Sequence, residues 1–287
     1  MLEIIEDTLI DAIKLLPFLF ITYLIMEYIE HKMGEKSKKA IKKSGRFGPV
    51  IGGILGIFPQ CGFSVSATNL YAGRVITLGT LIAVYLSTSD EMLPIFISEA
   101  VSPIIILKIL GIKLIVGIIA GILIDIVINL INKNKQKEEN DEIGHICEEE
   151  HCHCNENGVF RSALKHTVNI ILFIILITFI INIVVYFVGE ETIASWILNK
   201  PVIGPMITSL IGLIPNCAAS VIITNLYLEN VISLGSMIAG LLTGAGVGLA
   251  VLFKTNNKLK ENIGIVALVY IIGVIVGMII ELLGIII

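Results

Sequence analysis

The stretch from about Leu15 to Ile131 reappears, without a gap, 156 positions later. Pro59, Cys61, Ser64, Val65, Thr68, Asn69, Leu70 and Tyr71 recur as Pro215, Cys217, Ser220, Val221, Thr224, Asn225, Leu226 and Tyr227. From Gly56 to Ala83, 15 of 28 residues are identical to their counterparts from Gly212 to Ala239, far more than apolar composition alone would give. Two copies of one unit in an apolar chain mark a membrane protein built from related halves, with its site where the repeats meet.

The composition points the same way. Hydrophobic residues make up 55% and charged residues 15%, against about 25% charged in soluble domains, and the mean hydropathy is +0.93. The charges are clustered, leaving apolar runs long enough to cross a hydrocarbon layer of roughly 30 Å at about 20 residues each. The fold class expected is an all-α, polytopic integral membrane protein. The net charge of −4 says little about partners, because the signs are segregated by loop. At the N-terminus Glu3, Glu6, Asp7 and Asp11 replace the basic region of a cleaved signal peptide, so none is expected.

Loop charges give orientation. The loop after the first apolar run carries Lys32, Lys36, Lys38, Lys39, Lys42, Lys43 and Arg46 against Glu35, which belongs on the cytoplasmic side. Its repeat counterpart holds Glu190, Glu191 and a lone Lys200 and reads as external. Lys254, Lys258 and Lys260 read as cytoplasmic, whereas the matching segment near Ser98 to Ser102 carries only Glu99. Matching loops of opposite bias predict two repeats of inverted topology, each crossing the membrane an odd number of times. The domains are then a first membrane repeat (1–131), a cytoplasmic linker (132–166) and a second repeat (167–287). Each repeat breaks twice at matching places, at Phe58-Pro59-Gln60-Cys61-Gly62 and Ile214-Pro215-Asn216-Cys217-Ala218, then at Leu86 to Glu91 and Leu242 to Gly246. Proline removes a donor and clashes with the preceding turn, and opened backbone survives in a membrane only where protein or a water-filled cavity satisfies it. The breaks therefore predict discontinuous helices or re-entrant hairpins lining a path.

Several residue groups carry chemistry. Gln60, Cys61, Asn69, Asn216, Cys217 and Asn225 bring amides and thiols beside opened backbone, suited to a desolvated ion or small polar solute; the plainer alternative is a kinked packing helix with cysteine as filler. Asp90 and Glu91 sit in an apolar context where an ionised carboxylate costs at least about 2.5 kcal/mol. They are candidates for substrate binding and for coupling, or else an acidic break in an aqueous vestibule. Asp125 and Glu281 form a symmetric carboxylate pair, secondary coupling candidates or interfacial residues. Glu27, Glu30 and His31 share one helical face and read as interfacial more readily than as a cation-collecting cluster. In the linker, Cys147, His151, Cys152, His153 and Cys154 suit a soft metal, though their spacing is not a zinc-finger frame. No phosphate-cradling loop and no catalytic arrangement is present, so an enzyme is not expected, and transport energy would come from an ion gradient or the membrane potential.

The segments Leu15 to Phe20, Met26 to His31, Phe58 to Ser64, Thr68 to Ala83 and Leu86 to Pro94 resemble a prokaryotic family of ten-span heavy-metal exporters, labelled arsenic efflux proteins, with similar proteins labelled manganese transporters. The likeness covers nearly the whole chain outside the linker. It implies five spans per half, a multi-pass protein of a prokaryotic inner membrane, and a first-half site of Pro59, Gln60, Cys61, Asn69, Ser89, Asp90 and Glu91 facing Pro215, Asn216, Cys217 and Asn225. The second half lacks the acidic pair. Oxygen ligands at these positions favour a divalent cation, manganese foremost, whereas trivalent arsenic would depend on Cys61 and Cys217. The expectation is secondary active export of a metal ion by alternating access, the metal being substrate rather than cofactor, with protons or another ion coupling through Asp90 or Glu91. The bilayer is the other partner, a homo-oligomer is compatible, and nucleic acid is not expected. Two alternatives stand beside it: arsenic efflux, and a membrane metal sensor or scaffold acting through the linker.

Overall fold

The computed structural model describes residues 10, 13, 15–17, 19–25, 28, 47–58, 61–89, 91–132, 154–188 and 202–285, with side chains along 154–188 described at 160 and 163–183. Pro59, Gln60, Asp90, Glu27, Glu30, His31, Cys147, His151, Cys152 and His153 lie outside the described residues, and Cys154 is described in its backbone alone. Among the described residues there is no strand and no cluster of three or more His, Cys, Asp or Glu side chains arranged to hold a metal.

The helices are α1 (Leu15–Ile25), α2 (Gly48–Gly56), α3 (Cys61–Ala72), α4 (Leu78–Ser87), α5 (Met92–Ser98), α6 (Pro103–Asn132), α7 (Cys154–Val188), α8 (Ile203–Gly212), α9 (Cys217–Leu228), α10 (Leu234–Thr243), α11 (Gly248–Thr255) and α12 (Leu259–Leu282). The sequence repeat is thus a structural repeat. α3 to α6 and α9 to α12 begin 156 residues apart in every case. α7 starts inside the segment read as linker and carries the counterpart of α1.

Helix direction separates spans from hairpins. A Cβ added at Gly48 would meet Thr80, and one at Gly56 would meet Ser87, so α2 and α4 run the same way. α3 returns to the start of α4 through a short turn, so it runs against both. At 1.5 Å per residue, α2 (9 residues) and α3 (12 residues) are only about 14 and 18 Å long, too short to cross. The first pair of helices therefore enters and leaves by one face, a re-entrant hairpin with Pro59 in the segment joining its two limbs, and α8–α9 repeats it. α4 with α5, and α10 with α11, form broken spans (Leu78–Ser98 and Leu234–Thr255), while Pro103–Ile131, Ala163–Ile183 and Leu259–Leu282 are unbroken ones. Among the described residues the second half thus has three helices long enough to cross plus its hairpin, and the first has two plus its hairpin and the shorter α1, whose repeat counterpart lies within α7.

Close packing follows from small residues. α6 runs antiparallel to α4, and a Cβ at Gly79 would lie 2.1 Å from the Gly121 carbonyl oxygen. A Cβ at Gly235 would lie 2.6 Å from that of Gly277 in the second half. Hydrophobic burial does not drive helices together in lipid, so such backbone approach supplies the attraction. The broken spans sit innermost, Leu234–Thr255 being 83% buried against 11% for Pro103–Ile131. The outer helix turns a stripe of Ile115, Ile119, Leu123, Ile126 and Leu130 outward, as a lipid-facing surface requires.

Asp125 and Glu281 fasten these contacts. Thr77 caps α4 by accepting from the Thr80 N–H at 3.1 Å, and its own hydroxyl donates to Asp125 at 2.7 Å. The second Asp125 oxygen accepts from the Gly79 N–H at 2.9 Å. Ser233, the cap of α10, donates likewise to Glu281. A carboxylate against the positive end of a helix is stabilising in its own right. Asp125→Ala and Glu281→Ala are each expected to cost about 1–2 kcal/mol, additively because they lie in separate halves, read as lower unfolding midpoints in detergent.

Candidate functional site

The two halves meet by exchange. α3 of the first packs on α11 of the second, and α9 of the second packs on α5 of the first. Such reciprocity defines a pseudo-two-fold axis, and a residue touching its own repeat counterpart must lie on it. Cys61 and Cys217 do so, their Sγ atoms 3.1 Å apart. Each opens a helix, α3 or α9, directly after the proline break, and both sulfurs are half-buried. Two helix N-termini converging on one point favour negative charge there, the charge a metal-binding thiolate carries.

Asn216 belongs to the same place. Its Oδ1 caps α9 by accepting from the Ala218 N–H at 3.4 Å, and its Nδ2 donates to Asn182 on α7 at 2.6 Å. Asn69 and Asn225 lie eight residues along their helices, about 12 Å from the thiols, so they form a second tier. Asn69 is 2% exposed; it accepts from the Tyr23 hydroxyl at 3.2 Å, while its Nδ2 meets no acceptor among the described residues. Asn225 is half-buried. Glu91 is half-buried at the start of α5 and makes no side-chain capping bond. The axis therefore unites Cys61, Cys217 and Asn216 and separates them from the second-tier amides; Gln60 and Asp90 fall outside the described residues.

The breaks are stitched to the hairpin limbs in both halves. The Ser89 hydroxyl donates to the Ile57 carbonyl at 2.6 Å, joining the end of α4 to the end of α2. Thr243 donates to the Ser209 carbonyl at 2.9 Å in the second half. Thr68 and Tyr85 hydroxyls share a hydrogen bond at 2.6 Å, and both oxygens lie within 3.2–3.3 Å of the Gly248 carbonyl across the halves, where α11 begins, the hydroxyl that is not donating to the other being free to donate there.

Two further groups escape a search for symmetric features. Lys113 is 1% exposed in the apolar α6, and its ammonium donates to the carbonyls of Thr88 and Leu241. Its repeat counterpart is Val269. Arg74 binds Glu261 through both nitrogens, at 2.7 and 3.1 Å. The Tyr71 hydroxyl also donates to Glu261, and the guanidinium lies 5.2 Å from the Tyr71 ring centre. Their counterparts are Asn230, Ile105 and Tyr227. A lysine inside an apolar run was the available signal for the first; nothing local announced the second.

Re-entrant hairpins, broken spans and polar groups gathered on a buried axis define a polytopic membrane transporter. The family model described as "Putative, 10TM heavy-metal exporter" matches residues 1–190 and again 159–285. The chain belongs to that family. Neither the curated proteins nor the solved structures contain a match to it.

Proposed function

We propose that the protein exports a thiophilic metal or metalloid ion by alternating access, with Cys61 and Cys217 as its central ligands and inverted repeats as the moving parts. The observation that carries this reading is the sulfur pair on the pseudo-two-fold axis, at the N-termini of two half-helices. Thiolates select soft ions over manganese, which prefers oxygen. A site on the axis is shared equally by the halves, so it can open to either side as they rock. Inversion is supported by the opposed loop charges.

The test is metal content in cells lacking their own exporters. Cells producing the wild type are expected to hold less cadmium, copper(I) or arsenite than empty cells, and Cys61→Ser and Cys217→Ser, at equal membrane abundance, each to lose at least tenfold of that effect. Efflux of manganese alone, lost in Asp90→Asn but kept in both serine variants, would replace this reading with the oxygen-ligand one.

A further inference from the structure

The ammonium of Lys113 sits where two helices end. Thr88 is the C-terminal cap of α4, and Leu241 lies in the last turn of α10. Both breaks aim carbonyl oxygens at the same point, one from each half. Helix C-termini carry partial negative charge, and in transporters built from broken helices such ends seat the coupling cation. Here the seat is filled by a cation that the chain itself supplies. The position is deep: Lys113 lies ten residues from Pro103, about 15 Å along α6, at the level of both breaks. It is also placed to feel relative motion, because it spans from the first half to a carbonyl of the second.

The polarity of the middle layer is thus divided. N-terminal helix ends face the thiols and C-terminal ends face the lysine, and the Ser89–Ile57 bond links the break beside the lysine to the hairpin limb that precedes Cys61 in the protein interior. Two positive charges in such surroundings repel strongly. α2, α4 and α10, which pack on α6, contribute no charged residue, and Tyr85 of α4 directs its hydroxyl to Thr68 and Gly248. The break supplies the hydroxyls of Ser87, Thr88 and Ser89, followed in sequence by Asp90, outside the described residues, and half-buried Glu91. Along α6 itself, Lys108 is exposed and Asp125 is engaged with Thr77 and Gly79.

We infer that Lys113 is the coupling group of the exporter, a tethered cation whose ammonium occupies the carbonyl seat between α4 and α10 and yields its proton when a metal ion enters. The proton leaves to the compartment from which the metal arrives; the resulting amine takes another from the opposite compartment once the metal has left there. One proton moves inward for each ion moved outward, and no redox step is involved. The inference rests on the exporter reading above.

The experiment uses the full-length protein in vesicles with cadmium as probe, a trapped cadmium indicator, and the membrane potential clamped to zero with potassium and valinomycin. Wild type is expected to accumulate free cadmium about tenfold above equilibrium for a one-unit pH gradient at one proton per ion. Lys113→Arg keeps a cation in the seat, and with it the packing, yet cannot deprotonate; it is expected to show no accumulation above equilibrium. Lys113→Met, which has no proton to exchange, is expected to behave the same way. A purely structural lysine predicts that arginine restores gradient-driven accumulation, and that result overturns the inference. Wild-type flux indifferent to the pH gradient overturns it as well while leaving the exporter standing, whereas absence of any wild-type cadmium flux sinks the thiophilic-cation reading itself.

Discussion

A mild oxidant applied to membranes containing this protein is expected to join Cys61 to Cys217 and stop transport altogether. The two sulfurs are 3.1 Å apart and must approach by about 1 Å to reach bonding distance; the two thiols lose two protons and pass two electrons to the oxidant. The bond would tie the repeats covalently at their shared axis, where rocking of one half against the other has to be accommodated. The readout is simple in a variant whose three linker cysteines, Cys147, Cys152 and Cys154, are replaced by serine and whose linker carries a protease site. After cleavage the halves are expected to migrate together without reductant and apart with it, and reductant is expected to restore flux. Prior cadmium should protect the pair and manganese should not, since only a soft ion occupies the sulfurs. Halves that separate under every condition would place the thiols apart and remove the axis site.

That experiment probes what was most legible in the sequence. The identity of Pro59-x-Cys61 with Pro215-x-Cys217 identified the breaks, and the breaks identified a meeting point, because opened backbone in a membrane needs company. The hairpin character of α2 and α3 was not legible, since an apolar run interrupted by proline fits a hairpin or two spans until helix lengths and the Gly48–Thr80 and Gly56–Ser87 approaches settle the direction. Asp125 and Glu281 stood out as symmetric carboxylates, but the partners that occupy them, Thr77, Gly79 and Ser233, are some 46 to 48 residues away along the chain.

The groups missed altogether share one property. Lys113 aligns with Val269 in the repeat, Arg74 with Asn230, and Glu261 with Ile105. Reading a duplicated sequence rewards what recurs, and recurrence selects scaffold: caps, glycine contacts and breaks. A transporter that couples two ions, or rests in one of two states, needs its halves to differ in charge, and those differences lie at positions that comparison of the repeats discards. Directional function in a pseudo-symmetric protein is written where the symmetry fails.

The Arg74–Glu261 contact is such a failure, and its loss is expected to have the second largest effect. α3 and α9 end in the same turn: Val75 N–H bonds Leu70 and Val231 N–H bonds Leu226, with Arg74 and Asn230 both left-handed at φ of 55° and 57°. Asparagine tolerates that conformation, whereas arginine bears about 1 kcal/mol of strain there. The strain is offset by a two-pronged bond to Glu261 at the start of α12, which ties one half to the other beside the lysine-bearing 254–262 segment. Side-chain exposures of 22% and 27% leave the pair largely shielded, so removing one charge strands the other beside Tyr71. Arg74→Glu and Glu261→Arg are each expected to destabilise the protein by about 2–3 kcal/mol in thermal unfolding, scaled down from fully buried pairs for the remaining exposure. The exchanged double variant should recover at least half of that loss, the coupling read from a double-mutant cycle. In the second half the counterparts are Asn230, which is exposed, and Ile105, which packs against the apolar core, so those positions supply no matching ion pair and one side of the membrane path is tied more firmly than the other.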